Sequence, residues 1–301
     1  MLYDSVFGTF CYADAPDLMP VSEIIGTMDA IELATLKAIN DATRAAVKKL
    51  KKEAQGKSLS EVAKLNWDLA PDIAETLNVT WDKGYKSGSK DAIKEMNAAI
   101  LQKDNSSQYA RVSDLIKQIR GLKSFSVFDR PKAAVKKILN RNLLIAGDYA
   151  KEILERVKNN ISQGMISQPD TGYPMSPKQV NALIQDTLNV SQARAATISR
   201  TETTNAYSES RVETFKQSSL ATHCRFLAIA DDRVTDICRT RNGIVFPISE
   251  ESKYRPALHF NCRSTISVLL PRINPQHQKM IDDPNLDPNN RVLAPLLVGW
   301  R

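Results

Sequence analysis

The sequence is poor in the features that announce a secreted, membrane-spanning or catalytic protein. Four cysteines in 301 residues argue against a disulfide framework in a reducing compartment. No run approaches the roughly 20 consecutive apolar residues that a bilayer span needs. The opening Met1-Leu2-Tyr3-Asp4-Ser5 has no basic stretch ahead of an apolar one, so a protein that is soluble and intracellular when made is expected. No glycine-rich phosphate loop, no nucleophile elbow and no HExxH pair is present. No interleaving of aromatic and basic residues suggests a nucleic-acid reader. No CxxC pair offers the strong form of a zinc signature.

What is there is ordinary globular composition: 42% hydrophobic and 25% charged residues, enough to bury a core. At roughly 100–200 residues per domain, the length suggests about two domains. The net charge of +7 would favour phosphate-rich or acidic partners, although it also suits an ordinary basic protein. Much of the excess sits in runs such as Lys48-Lys49-Leu50-Lys51-Lys52 and Lys132-Ala-Ala-Val-Lys136-Lys137, which on helices read as solvated faces.

The chain divides into four stretches. Residues 1–20 carry aromatics with Gly8, Pro16 and Pro20 and read as an N-terminal arm, docked on a partner or loosely tethered. Residues 21–160 read as a helical domain. Ile31, Ala34, Leu36, Ile39, Ala42, Ala46 and Leu50 recur near the helical period. Pro71 marks a helix start, and Asn78-Val79-Thr80-Trp81 leads into another helix that Gly84 and Gly88 should weaken. Asp129 and Pro131 suggest a cap followed by a first-turn proline. Residues 161–272 form a third stretch. Within it, Ser176-Pro177-Lys178-Gln179 fits a capping box, and two successive helices are expected, the second capped by Ser191. Short strands follow at 224–230, 244–246 and 265–270, with a turn at Arg241-Asn242-Gly243. Residues 273–301, rich in Pro, Asn and Asp, read as an extended tail whose apolar end docks on a partner or folds back. The fold class is therefore mainly α, with a small C-terminal α+β module.

Three of the four cysteines and two of the three histidines fall between positions 223 and 262. His259 and Cys262 are three apart, so one turn of backbone can aim an imidazole and a thiolate at one centre. With Cys238 and Cys224 they make four soft or borderline donors, the number a tetrahedral structural zinc takes. A small strand-and-turn module gains most from such a staple. The same residues also fit buried free cysteines beside a hydrogen-bonded histidine. Upstream, Arg200-Thr201-Glu202 lies on a helix where Arg200 and Glu202 do not face each other, so each needs a partner elsewhere.

Three elements in order carry a resemblance: Ala195-x-x-Ile198-x-Arg200-Thr201-Glu202; then Asp231-Asp232-Arg233 with Cys238 and Gly243; then Pro256-x-x-His259-x-Asn261-Cys262-Arg263. Over roughly residues 160–272 the chain resembles phage head morphogenesis or minor head proteins, the Mu F-like group. The resemblance implies a structural protein present in few copies in the head of a tailed phage. Such a protein binds the portal, and in some cases capsid or scaffolding protein. It serves head assembly, genome packaging or DNA delivery, with phosphate-driven DNA contact, no membrane partner and no catalysis. The family pattern often ends Cys-Arg-Cys. Here the third position is Ser264, so either Cys224 supplies a fourth ligand or the site has only three.

Two other readings use the same residues. Arg200 with Glu202 or Glu209 could be drawn as an ADP-ribosyltransferase-like site, and Asp231, Asp232, Asp236 and His259 as a metal-dependent nuclease, which would need carboxylates converging on a cation. A zinc-stabilised nucleic-acid-binding module is the remaining alternative.

Overall fold

The computed structural model describes residues 21–101, 113–168, 170–229, 234–271 and 275–283. The expected arm at 1–20, most of the expected tail, and the motif residues Asp232 and Arg233 lie outside them.

Helices dominate. In chain order they are α1 (Val21–Ala54), α2 (Leu59–Lys64), α3 (Ala70–Leu101), α4 (Ser113–Gly121), α5 (Lys132–Met165) and α6 (Pro177–Lys216). The short α7 (Asp236–Arg239) and α8 (Glu251–Tyr254) lie among the strands β1 (His223–Leu227), β2 (Val245–Pro247) and β3 (Thr265–Leu269), and α9 (Pro275–Asp282) follows. The chain forms two compact units drawn from separate stretches, 31–80 with 130–199, and 1–30 with 81–129 and 200–301. Residues of α1, α3 and α6 are divided between them.

The unit built from 31–80 and 130–199 is all helical. On α1 the buried positions are Ile31, Glu32, Thr35, Ile39, Thr43, Ala46, Val47 and Leu50, spaced three and four apart as a core-facing stripe requires. Lys48, Lys49 and Lys52 stay exposed. The stripe meets Leu69, Ile73 and Leu77 of the α2–α3 region and Tyr149, Ile153 and Val157 of α5. Buried hydroxyls are paired: Thr43 with the Tyr149 hydroxyl at 3.0 Å, and Thr35 with Thr80 at 2.7 Å. At the start of α2, the Ser58 backbone N–H donates to Glu61 at 2.7 Å. At the start of α6, the Ser176 N–H donates to Gln179 Oε1 at 2.8 Å, as expected of a capping box.

Two expected helix boundaries disappear, the one at Ser191 and the one at 78–81. α6 is one 40-residue helix, and Ser191 caps nothing. Its hydroxyl donates back to the Leu188 carbonyl at 2.8 Å, an alternative that lets serine sit inside a helix. α3 likewise runs unbroken through Gly84 and Gly88. These glycines are where α6 comes closest. A Cβ on Gly84 would lie 2.7 Å from the Ala206 Cβ, and one on Gly88 would lie 2.1 Å from Ser210 Oγ and 2.4 Å from the Tyr207 carbonyl. The helix accepts the propensity cost at both positions because the two backbones pack at a distance only glycine permits. The N-cap of α5 is displaced by two residues from the expected Asp129. Pro131 is its N-cap, while Asp129 ends a preceding 3-10 turn and accepts the Ser126 N–H at 2.6 Å.

The second unit carries the sheet. β1 is central and pairs antiparallel with both neighbours in the order β2-β1-β3, setting Cys224 opposite Phe246 and Val268. The expected strands are present, each within a few residues of its expected ends. Gly243 takes φ +82° at the expected turn, where its N–H donates to the Phe226 carbonyl at 2.9 Å. Phe226, Phe246, Ile266 and Val268 close a core with Met96 of α3, Ile119 of α4 and Val212 and Phe215 of α6. Against the expectation of an extended tail from 273, residues 275–282 are helical. The buried His277 ties that helix down by accepting the Leu270 N–H at 3.0 Å.

Candidate metal centre

Two loops and one helix build the site, all within the sheet-bearing unit. Cys238 sits on α7, a single turn that Thr235 opens, with the Cys238 N–H donating to the Thr235 carbonyl at 3.0 Å. His259 and Cys262 sit on the loop between α8 and β3. Asn261 between them has φ +62°, a left-handed conformation that asparagine tolerates better than most residues, and it reverses the chain so that both donors face inward.

α6 holds this loop in place. Thr201 Oγ1 accepts the Asn261 N–H at 3.1 Å, Thr204 Oγ1 donates to the Cys262 carbonyl at 2.6 Å, and Asn205 Oδ1 accepts the Ala257 N–H at 3.3 Å. Positions 201, 204 and 205 share one helix face. The first and third sequence elements are thus two halves of one dock. Glu202, pointing elsewhere, is buried and accepts the Trp81 indole N–H at 3.0 Å. Thr204 and Asn205 were not singled out from the sequence. The signal for them was the i, i+3, i+4 placement of short polar residues after Arg200.

Cys238 Sγ, His259 Nε2 and Cys262 Sγ lie within 4.8 Å of one another, close enough to bind a metal ion together. Cys238 Sγ is 3.0 Å from His259 Nε2 and 3.7 Å from Cys262 Sγ. His259 Nδ1 lies 2.7 Å from the Phe260 carbonyl. A carbonyl can only accept, so Nδ1 carries the proton and Nε2 presents its lone pair to the sulfurs, as a ligating histidine does. The Thr235 hydroxyl is 2.8 Å from the same Nε2. The contact with Cys238 acts first on the Cys262 thiol, and backbone groups at Leu258 and Ser264 and the Ser264 side chain add to this. Together they bring Cys262 down to about 5 against the effect of burial, and the same contact holds Cys238 protonated. The thiolate is the form of cysteine that binds metal.

Cys224 is not part of this group. It is fully buried in the central strand, and desolvation pushes its thiol up. Among the described residues no carboxylate joins the group either. Asp236 is paired with Arg239 at 2.6 Å, while Glu209 is engaged by Arg255 at 2.8 Å and the Tyr85 hydroxyl at 3.1 Å. Arg263 lines a small cleft beside the donors, Gly243 forms its turn between α7 and β2, and Arg200 lies on α6.

Fold and site together define a largely helical protein with a small antiparallel module around a Cys-His-Cys group. Residues 134–267 match the family described as Phage Mu protein F like protein, so this region of the chain is similar to that phage family. The match contains all three donors and begins upstream of the expected module, within α5. No curated protein and no solved structure matches the chain. No helix among the described residues is long and apolar enough to cross a membrane.

Proposed function

We propose that the protein is a minor structural component of a tailed-phage head, bound to the portal, acting in head morphogenesis and in genome packaging or DNA delivery, and without catalytic activity. The observation that carries this reading is the family match across 134–267. Lys48 and Lys49 of α1 and Lys132, Lys136 and Lys137 of α5 are exposed and supply charge for phosphate contact, which salt should weaken. The test is to purify phage heads, or the protein co-expressed with its portal, and to locate it by crosslinking and electron microscopy. Density at the portal vertex in a few copies is the expected result. Its absence from both portal and virion would overturn the reading.

The module is read as held by one structural zinc ion on Cys238, His259 and Cys262. Zn–S bonds of about 2.3 Å at a tetrahedral angle place two sulfurs about 3.8 Å apart, against the 3.7 Å found. The imidazole, at 3.0 Å from Cys238 Sγ, would retreat by about half an ångström to reach the corresponding S···N distance. Bound zinc would join α7 to the β3 loop and add its binding free energy to folding. Metal analysis of the purified protein should give one zinc per chain, removable by a chelator with a fall in the unfolding temperature.

A further inference from the structure

We infer that this metal centre keeps one coordination position open, facing a solvent-connected cleft, and that a small oxygen- or sulfur-donor ligand from outside the chain fills it. The inference rests on the metal reading above and deepens it. Three donors converge, and among the described residues no fourth cysteine, histidine or carboxylate lies within reach. Where the Mu F-like pattern often has its second cysteine, this chain has Ser264. Ser264 lines the same cleft as Cys238 and His259, and the Thr235 hydroxyl approaches Nε2 at 2.8 Å. Neutral hydroxyls are absent from the usual zinc ligands, so these two groups do not complete the shell.

The cleft supplies the second observation. Thr235, Cys238, His259, Asn261, Arg263 and Ser264 line it, while Cys262 lies behind them, closed to solvent. An ion held by the three donors therefore has protein on the Cys262 side and the cleft on the other. Arg263 in the cleft wall biases the incoming ligand toward anions. Three protein ligands with an exchangeable fourth is the arrangement zinc adopts where it meets molecules from outside.

Cobalt(II) tests this on the full chain, because its d–d absorption reports coordination number and ligand exchange. The wild-type protein should take up one cobalt, and titration with azide or a small thiol should shift its d–d bands. Ser264→Cys should strengthen the thiolate-to-cobalt charge-transfer absorption and abolish the azide-induced shift. Intense tetrahedral bands in the wild type that azide and thiol leave unmoved would mean that the chain supplies its own fourth donor. That would overturn the inference and leave the metal reading intact. Failure to bind cobalt or zinc at all would overturn the metal reading and the inference with it.

Discussion

Glu95 of α3 and Arg211 of α6 form an ion pair sealed from solvent, with side-chain exposures of 1% and 0%, and the pair closes the outer edge of β3. Glu95 Oε1 accepts the Val268 N–H at 2.9 Å, and Arg211 Nε donates to the Ile266 carbonyl at 3.1 Å. Two side chains thus do for β3 what a fourth strand would do, satisfying backbone groups that a bare edge leaves open. The guanidinium also lies against the rings of Tyr207 and Phe215, at 5.7 and 5.3 Å, and burial pushes the Glu95 carboxyl up against the pull of Arg211.

Removing one member of this pair should be costly. Arg211→Met leaves a buried carboxyl facing β3 without its cation, and a loss of about 3–5 kcal/mol is expected. The double variant Arg211→Met with Glu95→Gln should lose less than the single losses added together. Urea unfolding of the four proteins measures the coupling, and additive losses would show that the two groups act independently.

The glycines of α3 and α5 should respond in opposite directions. Gly88→Ala gains about 1 kcal/mol of helix propensity but drives a methyl group into Ser210 Oγ and the Tyr207 carbonyl, an overpacking cost of about 1–3 kcal/mol. A net destabilisation is expected. Gly147 in α5 has nothing within 4 Å of an added Cβ, so Gly147→Ala should stabilise by up to about 1 kcal/mol. Thermal melts of both variants check the contrast.

His277 should make the docking of α9 sensitive to acid. Burial, followed by the charge of Arg225, lowers its pKa from 6.5 to about 4, and its Nδ1 must stay unprotonated to accept the Leu270 N–H. Between these two values the unfolded chain binds a proton that the native chain does not, so stability rises with pH. The contribution is complete above about pH 6.5 and falls as the pH drops toward 4, by up to about 3 kcal/mol. Hydrogen exchange at the Leu270 amide should accelerate across this window, and His277→Leu should remove the pH dependence.

The α6 dock should govern metal affinity from a distance. Thr204→Val deletes the hydrogen bond to the Cys262 carbonyl, leaving a buried acceptor unmatched at a cost of about 1–3 kcal/mol. Supporting contacts of this kind change metal affinity by about 10–100-fold. Competition against a chromogenic chelator should show weaker zinc binding for Thr204→Val and recovery with Thr204→Ser.

Much of this protein follows from local chemistry. Ser176 with Gln179 caps a helix, Gly243 turns a hairpin, and the alternation around Phe226 and Ile266 makes strands, because each depends on a few neighbours along the chain. The approach of His259 to Cys262 is equally local, since three residues and one left-handed Asn261 bring them together. Helix continuity was misjudged at 78–81 and at Ser191, and the role of Gly84 and Gly88 went unread, because the deciding contacts come from residues distant in sequence or from the helix's own backbone. Cys224 shows the limit of counting donors. By type it is as good a ligand as Cys238, but its strand position faces Phe246 and Val268.

Composition and periodicity by themselves determined a mainly helical chain with a short three-stranded module, and the three motif elements carried its resemblance to phage head proteins. Only the tertiary structure decided that Thr201 and Thr204 clamp the His259–Cys262 loop, that Glu95 and Arg211 close the sheet, and that three donors converge where four were counted. Those choices depend on pairs separated by tens of residues or more, and short-range propensity does not reach that far. What selects such pairs is the requirement that each buried polar group find a partner and each close approach find room.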